Sequence, residues 1–320
     1  MTTYTDTQRK SAADWKAQTS TLPVDAKLPA PYRNAAGPNY EFCLPWAYAD
    51  HNLLPEVRSA GIKLFGELKI PWHMGIGGGP GNHLLSSQVQ CVNALGQMVN
   101  DPTRIVQAFG ESLGTEEVFE IEPGRYLTFE YIGPVGFFGE GKNGVRERGA
   151  NCTSVDAAFV HRTRSGLREL VLLEWKYTES YRKRNPEPKD EVRRQRYERF
   201  LDAADSPVRR SELSFLDLLD EPFYQLMRQQ LLAHELEKMH AADLKVDRVR
   251  VAHVLPESNL EYQQSIHRET QRKVGESVYE VWDKLLTAPD RFVKLDSAMF
   301  LDPAITSAEY VARYGATASA

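Results

Sequence analysis

The sequence predicts an α/β protein, and three observations carry that expectation. Two alternating apolar runs, 153–162 and 169–178, flank Arg164-Ser165-Gly166 and read as antiparallel strands joined by a tight turn. Residues 221–240 repeat apolar side chains at helical spacing, and 247–255 return to a short β-branched run. Upstream, 55–68 and 83–98 carry helical periodicity as well.

Taken in order, residues 1–40 are polar and rich in Pro and Ala, which predicts an extended or poorly ordered arm ahead of a single domain over 41–320. Val57, Ala60, Leu64 and Leu68 mark the helix of 55–68. The glycine-rich stretch Gly75–Gly81 follows, with Asn82 placed to cap the helix of 83–98. Asp101-Pro102 opens a short helix that Gly114 is expected to stop, with Ser112 in its last turn. Glu116–Glu122 alternates like a strand, Glu122-Pro123-Gly124-Arg125 is a turn, and a strand near 125–133 leads to the central pair. A basic insertion occupies about 180–220. Val274, Val278, Val281, Trp282 and Leu285 mark a late amphipathic helix, and Thr306 starts a last short one.

With 42% hydrophobic and 26% charged residues, the composition is that of an ordinary globular chain. No apolar run reaches the length of a membrane span, and the first residues lack the apolar core of a secretory signal. Cys43, Cys91 and Cys152 form neither a CxxC pair nor an even disulfide set, so the cytoplasm is the expected compartment. A net charge of −5 argues against indiscriminate coating of nucleic acid. Local charge differs: between Arg182 and Arg210, ten Lys and Arg stand against six acids. That run reads either as a solvated helix laced with pairs such as Asp190–Arg194 and Arg194–Glu198, or as a phosphate-contacting arm.

The chemistry concentrates in the central hairpin. Asp156 interrupts the first apolar strand, and Glu174 and Lys176 flank Trp175 in the second. Side chains alternate along a strand, so Glu174 and Lys176 share a face. Closing the turn at Arg164-Ser165-Gly166 pairs Thr163 with Leu167, and counting back sets Asp156 opposite Glu174. Facing residues have Cβ atoms roughly 5 Å apart, so two carboxylates converge beside an ammonium. Such a pair repels unless a cation intervenes, and carboxylate oxygens are the ligands that Mg²⁺ or Mn²⁺ prefers.

Asp156 followed by Glu174-Trp175-Lys176 resembles the PD-(D/E)XK nuclease superfamily, with Val155 where the family name has proline. The element order fits its restriction-endonuclease-like core of helix, three antiparallel strands, helix and strand, here with an N-terminal extension and helical additions. Residues 43–95 are similar to a bacterial restriction-endonuclease-like branch. The resemblance implies a metal-dependent DNA endonuclease of restriction, phage defence or repair. In it Asp156, Glu174 and the Trp175 backbone carbonyl hold Mg²⁺ or Mn²⁺, and Lys176 orients water or stabilises developing charge. Gln88, where some members carry an acid, and Glu130 are accessory candidates. Gln225, Arg228, Arg193 and Arg194 are candidate DNA contacts. DNA is the implied partner, a homodimer is compatible with it, and no membrane is involved.

Three other readings compete. The same fold also serves as a DNA-binding or assembly module without cleavage. Gly110-Glu111-Ser112-Leu113-Gly114 matches the GxSxG elbow of serine hydrolases, but helical spacing precedes it and strand alternation follows, the reverse of what an elbow needs. The Gly75–Gly81 run lacks the GK[ST] ending of a phosphate loop, and Trp72, His73 and His83 beside it read as structural. No HExxH or Cys/His cluster indicates zinc.

Overall fold

In a computed structural model of the chain, residues 3–32 and 34–315 are described. The α-helices are α1 (Tyr4–Gln18), α2 (Pro55–Glu67), α3 (Ser87–Leu95), α4 (Pro102–Phe109), α5 (Asp190–Leu201), α6 (Phe223–Lys238), α7 (Leu260–Gln263), α8 (Glu269–Val274), α9 (Val278–Leu285) and α10 (Ala308–Tyr314). The strands are β1 (Ala30–Pro31), β2 (Asn39–Tyr40), β3 (Thr115–Phe119), β4 (Leu127–Tyr131), β5 (Val155–Thr163), β6 (Arg168–Trp175), β7 (Arg248–Leu255) and β8 (Phe292–Asp296).

β1 and β2 form a small ribbon, and the other strands form one mixed sheet in the order β3–β5–β6–β7–β8. β4 shares the β3 edge of β5: β3 pairs with Val160–Thr163, and β4 with Val155–Phe159. The β5–β6 hairpin is antiparallel, whereas β6–β7 and β7–β8 are parallel and are joined by helical crossovers. The hairpin turn closes as expected: the Thr163 N–H donates to the Leu167 carbonyl at 2.9 Å, and Gly166 takes a φ of +86°. β6 is apolar almost throughout because helices cover both of its faces. Val171, Leu173 and Trp175 pack with α2, α3 and α4; Leu170 and Leu172 pack with α6 and α9.

The chain departs from the sequence expectations at several points. The first forty residues are not an extended arm throughout, because α1 occupies Tyr4–Gln18 and buries Ala12 and Trp15. Its apolar face is too narrow to register as periodic, and polar contacts hold it: the Trp15 indole N–H donates to Glu309 at 2.8 Å, and Arg313 lies 4.7 Å over the Trp15 ring. Ser86, not Asn82, caps α3; the Asn82 amide instead donates to the carbonyls of Pro31 and Leu44. α4 ends at Phe109, so Ser112 lies in an exposed turn between that helix and β3 rather than in the helix's last turn. No described strand leads into Ser112, and the elbow geometry that a serine hydrolase needs is missing there. β8 extends the sheet beyond the expected strands. The last helix is capped by Ser307, while the Thr306 hydroxyl donates to the Phe300 carbonyl.

Candidate metal-dependent active site

Three carboxylates fall in one row across β4, β5 and β6. The β4–β5 register, running from Leu127↔Phe159 to Tyr131↔Val155, puts Glu130 level with Asp156. The β5–β6 register ends at Ala157↔Leu173, and its next step sets Asp156 level with Glu174. Regular pairing lapses at this row. Glu130 takes a φ of +47°, a left-handed conformation that a non-glycine residue adopts at a cost of order 1–3 kcal/mol. Val155 belongs to the α6-side core and Ala157 to the α3-side core, so side-chain alternation breaks at Asp156. The Asp156 Oδ2 takes the Trp175 main-chain N–H at 2.7 Å, standing in for a ladder carbonyl. The Trp175 carbonyl lies on the same β5-facing edge, past the last β5–β6 pair.

Glu174 and Lys176 are buried, whereas Asp156 and Glu130 are half-buried. The Lys176 ammonium donates to Glu174 Oε1 at 2.6 Å. Burial is the largest single influence and drives the Lys176 pKa down, but Glu174, joined by Tyr181, Glu179 and Tyr262, outweighs it and holds the ammonium well above its ordinary range. Asp156 is pushed well up, first by burial and then by the charges of Glu174 and Glu130. Burial also lifts Glu130 to about 6, although the Ser154 hydroxyl, donating at 2.8 Å, works against it. One ammonium thus faces a row of mutually repelling carboxylates.

Gln88 sits between Glu130 and the loop before α3. Its carbonyl accepts the His73 N–H at 2.8 Å, and its amide donates to the Pro71 carbonyl at 3.3 Å and to Glu130 at 3.4 Å. Gln88 thus hydrogen-bonds an acid from the helix position where some members of the resembled superfamily carry one. Gly149, with a φ of +66°, packs its backbone so closely on Glu130 that an added Cβ would sit 3.1 Å from the carboxyl carbon. That glycine belongs to the segment joining β4 to β5, whose sequence carries no recognisable motif.

Sequence reasoning also missed what supports Glu174. The Gln229 amide on α6 donates to Glu174 Oε2 in a short contact. Its carbonyl lies 3.4 Å from His253 Nε2, and the Tyr262 hydroxyl lies 3.5 Å from His253 Nδ1. Burial, reinforced by Lys176, holds the His253 pKa well below its ordinary value, so the ring is neutral. The register Glu174↔His253 explains the placement, since facing residues of β6 and β7 share a face. Gln229 stands in the sequence on the same helical stripe as Gln225 and Arg228, and an amide on a helix that faces an acidic strand was the available signal.

The candidate DNA contacts do not form one group. Gln225 is half-buried and engaged through its main chain, whose N–H donates to Glu221 at 3.2 Å. Arg194 is spanned by Glu191 at 2.8 Å and Glu198 at 2.9 Å. Asp190 pairs with Arg193 and Arg184 rather than with Arg194. Arg228 makes no ion pair among the described residues and lies 4.8 Å over the Tyr224 ring.

Among the described residues, no group of three or more His, Cys, Asp and Glu side chains is arranged to hold a metal ion. The expected donor set is smaller than that, being two carboxylates and a main-chain carbonyl. It fits a divalent cation on two counts. Burial and the Glu174 charge push both Asp156 and Glu130 up, with a single ammonium to offset the row. Asp156 Oδ1, moreover, makes no hydrogen bond among the described residues and, on a half-buried side chain, is free to coordinate. No described helix is long and apolar enough to cross a membrane, and Cys43, Cys91 and Cys152 are free thiols.

A mixed sheet covered by helices, with a row of acids where its pairing breaks, points to a nuclease-like protein of the restriction-endonuclease-like class. Comparison with known families agrees. The chain belongs to the family described as "Restriction Endonuclease associating with ARP", whose model matches residues 9–315. No curated protein and no solved structure matches it.

Proposed function

We propose that the chain is a divalent-cation-dependent endonuclease that hydrolyses phosphodiester bonds in DNA. The observation that carries this reading is the row of Glu130, Asp156 and Glu174 with one buried ammonium, Lys176, beside it. Asp156, Glu174 and the Trp175 carbonyl are the ligands this reading assigns to Mg²⁺ or Mn²⁺. When bound, such an ion supplies Lewis-acid polarisation of the scissile phosphate and a water of lowered pKa.

The chain's own residues do the rest. Asp156 offers its unengaged oxygen at the half-buried mouth of the site. Gln229 and Lys176 each hold one oxygen of Glu174, which fixes the plane of that carboxylate. The Lys176 ammonium stabilises negative charge as it develops on the phosphate. Glu130, held by Gln88 and Ser154, adds a titrating carboxyl at the rim.

Incubating plasmid and single-stranded DNA with the protein in Mg²⁺, Mn²⁺ or EDTA tests this directly. Cleavage that requires the cation and vanishes in Asp156→Asn supports the reading. DNA binding without any metal-dependent cleavage would instead identify an inactive binding module on the same fold.

A further inference from the structure

A cleft of about 440 Å³ opens between α5, α6 and the β4–β5 segment, and its lining is basic. Lys189, Arg193 and Arg196 come from α5 and the residue before it, and Arg228 from α6. The Tyr224 ring lies between two of these, with the Arg193 guanidinium 5.1 Å and the Arg228 guanidinium 4.8 Å from its centre. Arg193 is held by Asp190 at 2.9 Å and Glu187 at 3.2 Å. Lys189, Arg196 and Arg228 make no ion pair among the described residues, and the Arg228 Nε is buried without a hydrogen-bond partner. The acid in the lining, Glu140, is already occupied: it takes the Thr153 N–H at 2.9 Å, the Thr153 hydroxyl at 2.7 Å and the Tyr197 hydroxyl in a short contact.

Lys189 and Arg196 have no acid partner among the described residues, and Arg228, though it feels the charges of Glu221 and Glu140, is ion-paired to neither. Cations gathered this way in a concavity attract an anion, and guanidinium groups suit phosphate oxygens. The cleft also adjoins the carboxylate row. Arg228 immediately precedes Gln229, which holds Glu174, and Cys152 in the lining lies two residues from Ser154, which holds Glu130. Arg194, on the same helix as Arg196, contrasts with it because two glutamates span it.

We propose that this cleft binds a phosphate of the DNA strand flanking the reaction site, through Arg196, Arg228 and Lys189, with the neighbouring nucleotide against Tyr224. The identity of the ligand as DNA rests on the nuclease reading; the anion site itself rests on the unpaired cations. The phosphate belongs either to an internal phosphodiester or to a strand's terminal phosphomonoester.

The test is the affinity of short fluorescent duplexes, with and without a 5′-phosphate, measured in EDTA across a range of salt. Arg196→Ala and Lys189→Ala change exposed or half-exposed side chains, so folding is preserved, and Arg194→Ala serves as the paired-arginine comparison. Each cleft variant should flatten the log–log salt slope by about one and weaken binding roughly tenfold near 0.1 M salt. Arg194→Ala should do neither. A loss confined to the 5′-phosphorylated duplex identifies the terminal phosphate, and a loss with both identifies an internal one. Binding by both cleft variants that matches the wild type, or a loss no larger than that of Arg194→Ala, overturns the proposal, as does a wild type that binds neither duplex. Asp156→Asn separates the two claims. If the wild type and Asp156→Asn are equally uncleaving while the cleft variants still bind weakly, the nuclease reading fails and the cleft stands. If cleavage is intact and the cleft variants bind normally, the cleft fails and the nuclease reading stands.

Discussion

Gln229 holds one of the two oxygens of Glu174 from α6, which packs on the sheet face that Glu174 shares, without offering the metal a ligand of its own. Residues that orient a ligand carboxylate commonly change metal affinity or activity by roughly 10–100-fold when removed. Gln229→Ala should therefore lower metal-dependent cleavage by about that factor, with Gln229→Glu no better because it sets a second carboxylate against Glu174. A titration of rate against Mn²⁺ checks this: the half-saturating concentration should rise, whereas a purely structural role would lower the melting temperature and leave it unmoved. Glu130 predicts a pH effect. Its folded pKa of about 6 lies above its ordinary 4.5, so its contribution to stability is complete below 4.5 and is lost as pH rises through 6. Asp156 shifts in the same direction. In EDTA the melting temperature should fall between pH 4.5 and 7, and Glu130→Gln should remove part of that fall, on the order of 1–2 kcal/mol. Identical profiles for the two proteins would show that Glu130 is not the group titrating. Asp156, Glu174 and Lys176 could be picked out of the sequence because charge inside an apolar strand is conspicuous. Glu130 was a candidate too, but its left-handed torsion leaves no pattern in the sequence, and Gln229, one amide on the stripe of Gln225 and Arg228, becomes a partner of Glu174 only once α6 packs on the sheet.

At the level of elements, the hairpin was the legible part. Its register follows from a glycine at the third turn position and from period-two alternation, both of which are local. The break in alternation at Asp156 was not legible, because it depends on β4 and β5 diverging together. α1 was missed for a related reason. Only Ala12 and Trp15 give it an apolar face, and its partners on α10 lie almost three hundred residues away. Its packing nonetheless carries definite weight. Trp15→Ala should destabilise the protein by about 3–5 kcal/mol, the range for deleting a buried aromatic, as read from urea unfolding. A loss below about 1 kcal/mol would mean that α1 is detachable. The α5 helix carries the ion-paired face that its sequence allowed. Arg194 lies on a face laced with ion pairs, while Arg196 opens on the basic cleft.

Across the whole molecule, the sheet keeps two cores apart and leaves the acid row where they part. One core packs under α2, α3 and α4 and the other under α6 and α9. α3 supplies Gln88 to Glu130, and α6 supplies Gln229 to Glu174, so each layer anchors one end of the row. Binding a cation there links the site to global stability, because an ion that binds only the folded state raises its melting temperature. The most direct measurement is the melting temperature of the wild type, Asp156→Asn, Glu174→Gln and Lys176→Ala with and without Mg²⁺ or Mn²⁺. The wild type should be stabilised by the ion, and the two carboxylate variants should lose most of that rise. In EDTA Asp156→Asn should melt higher than the wild type, since part of the like-charge repulsion is gone, whereas Glu174→Gln should not, because it leaves the buried Lys176 ammonium without its partner. Lys176→Ala should keep the rise, because it removes the competing ammonium and leaves the ligands. An equal metal-induced shift in all four proteins would place the ion elsewhere and contradict the assignment of Asp156 and Glu174.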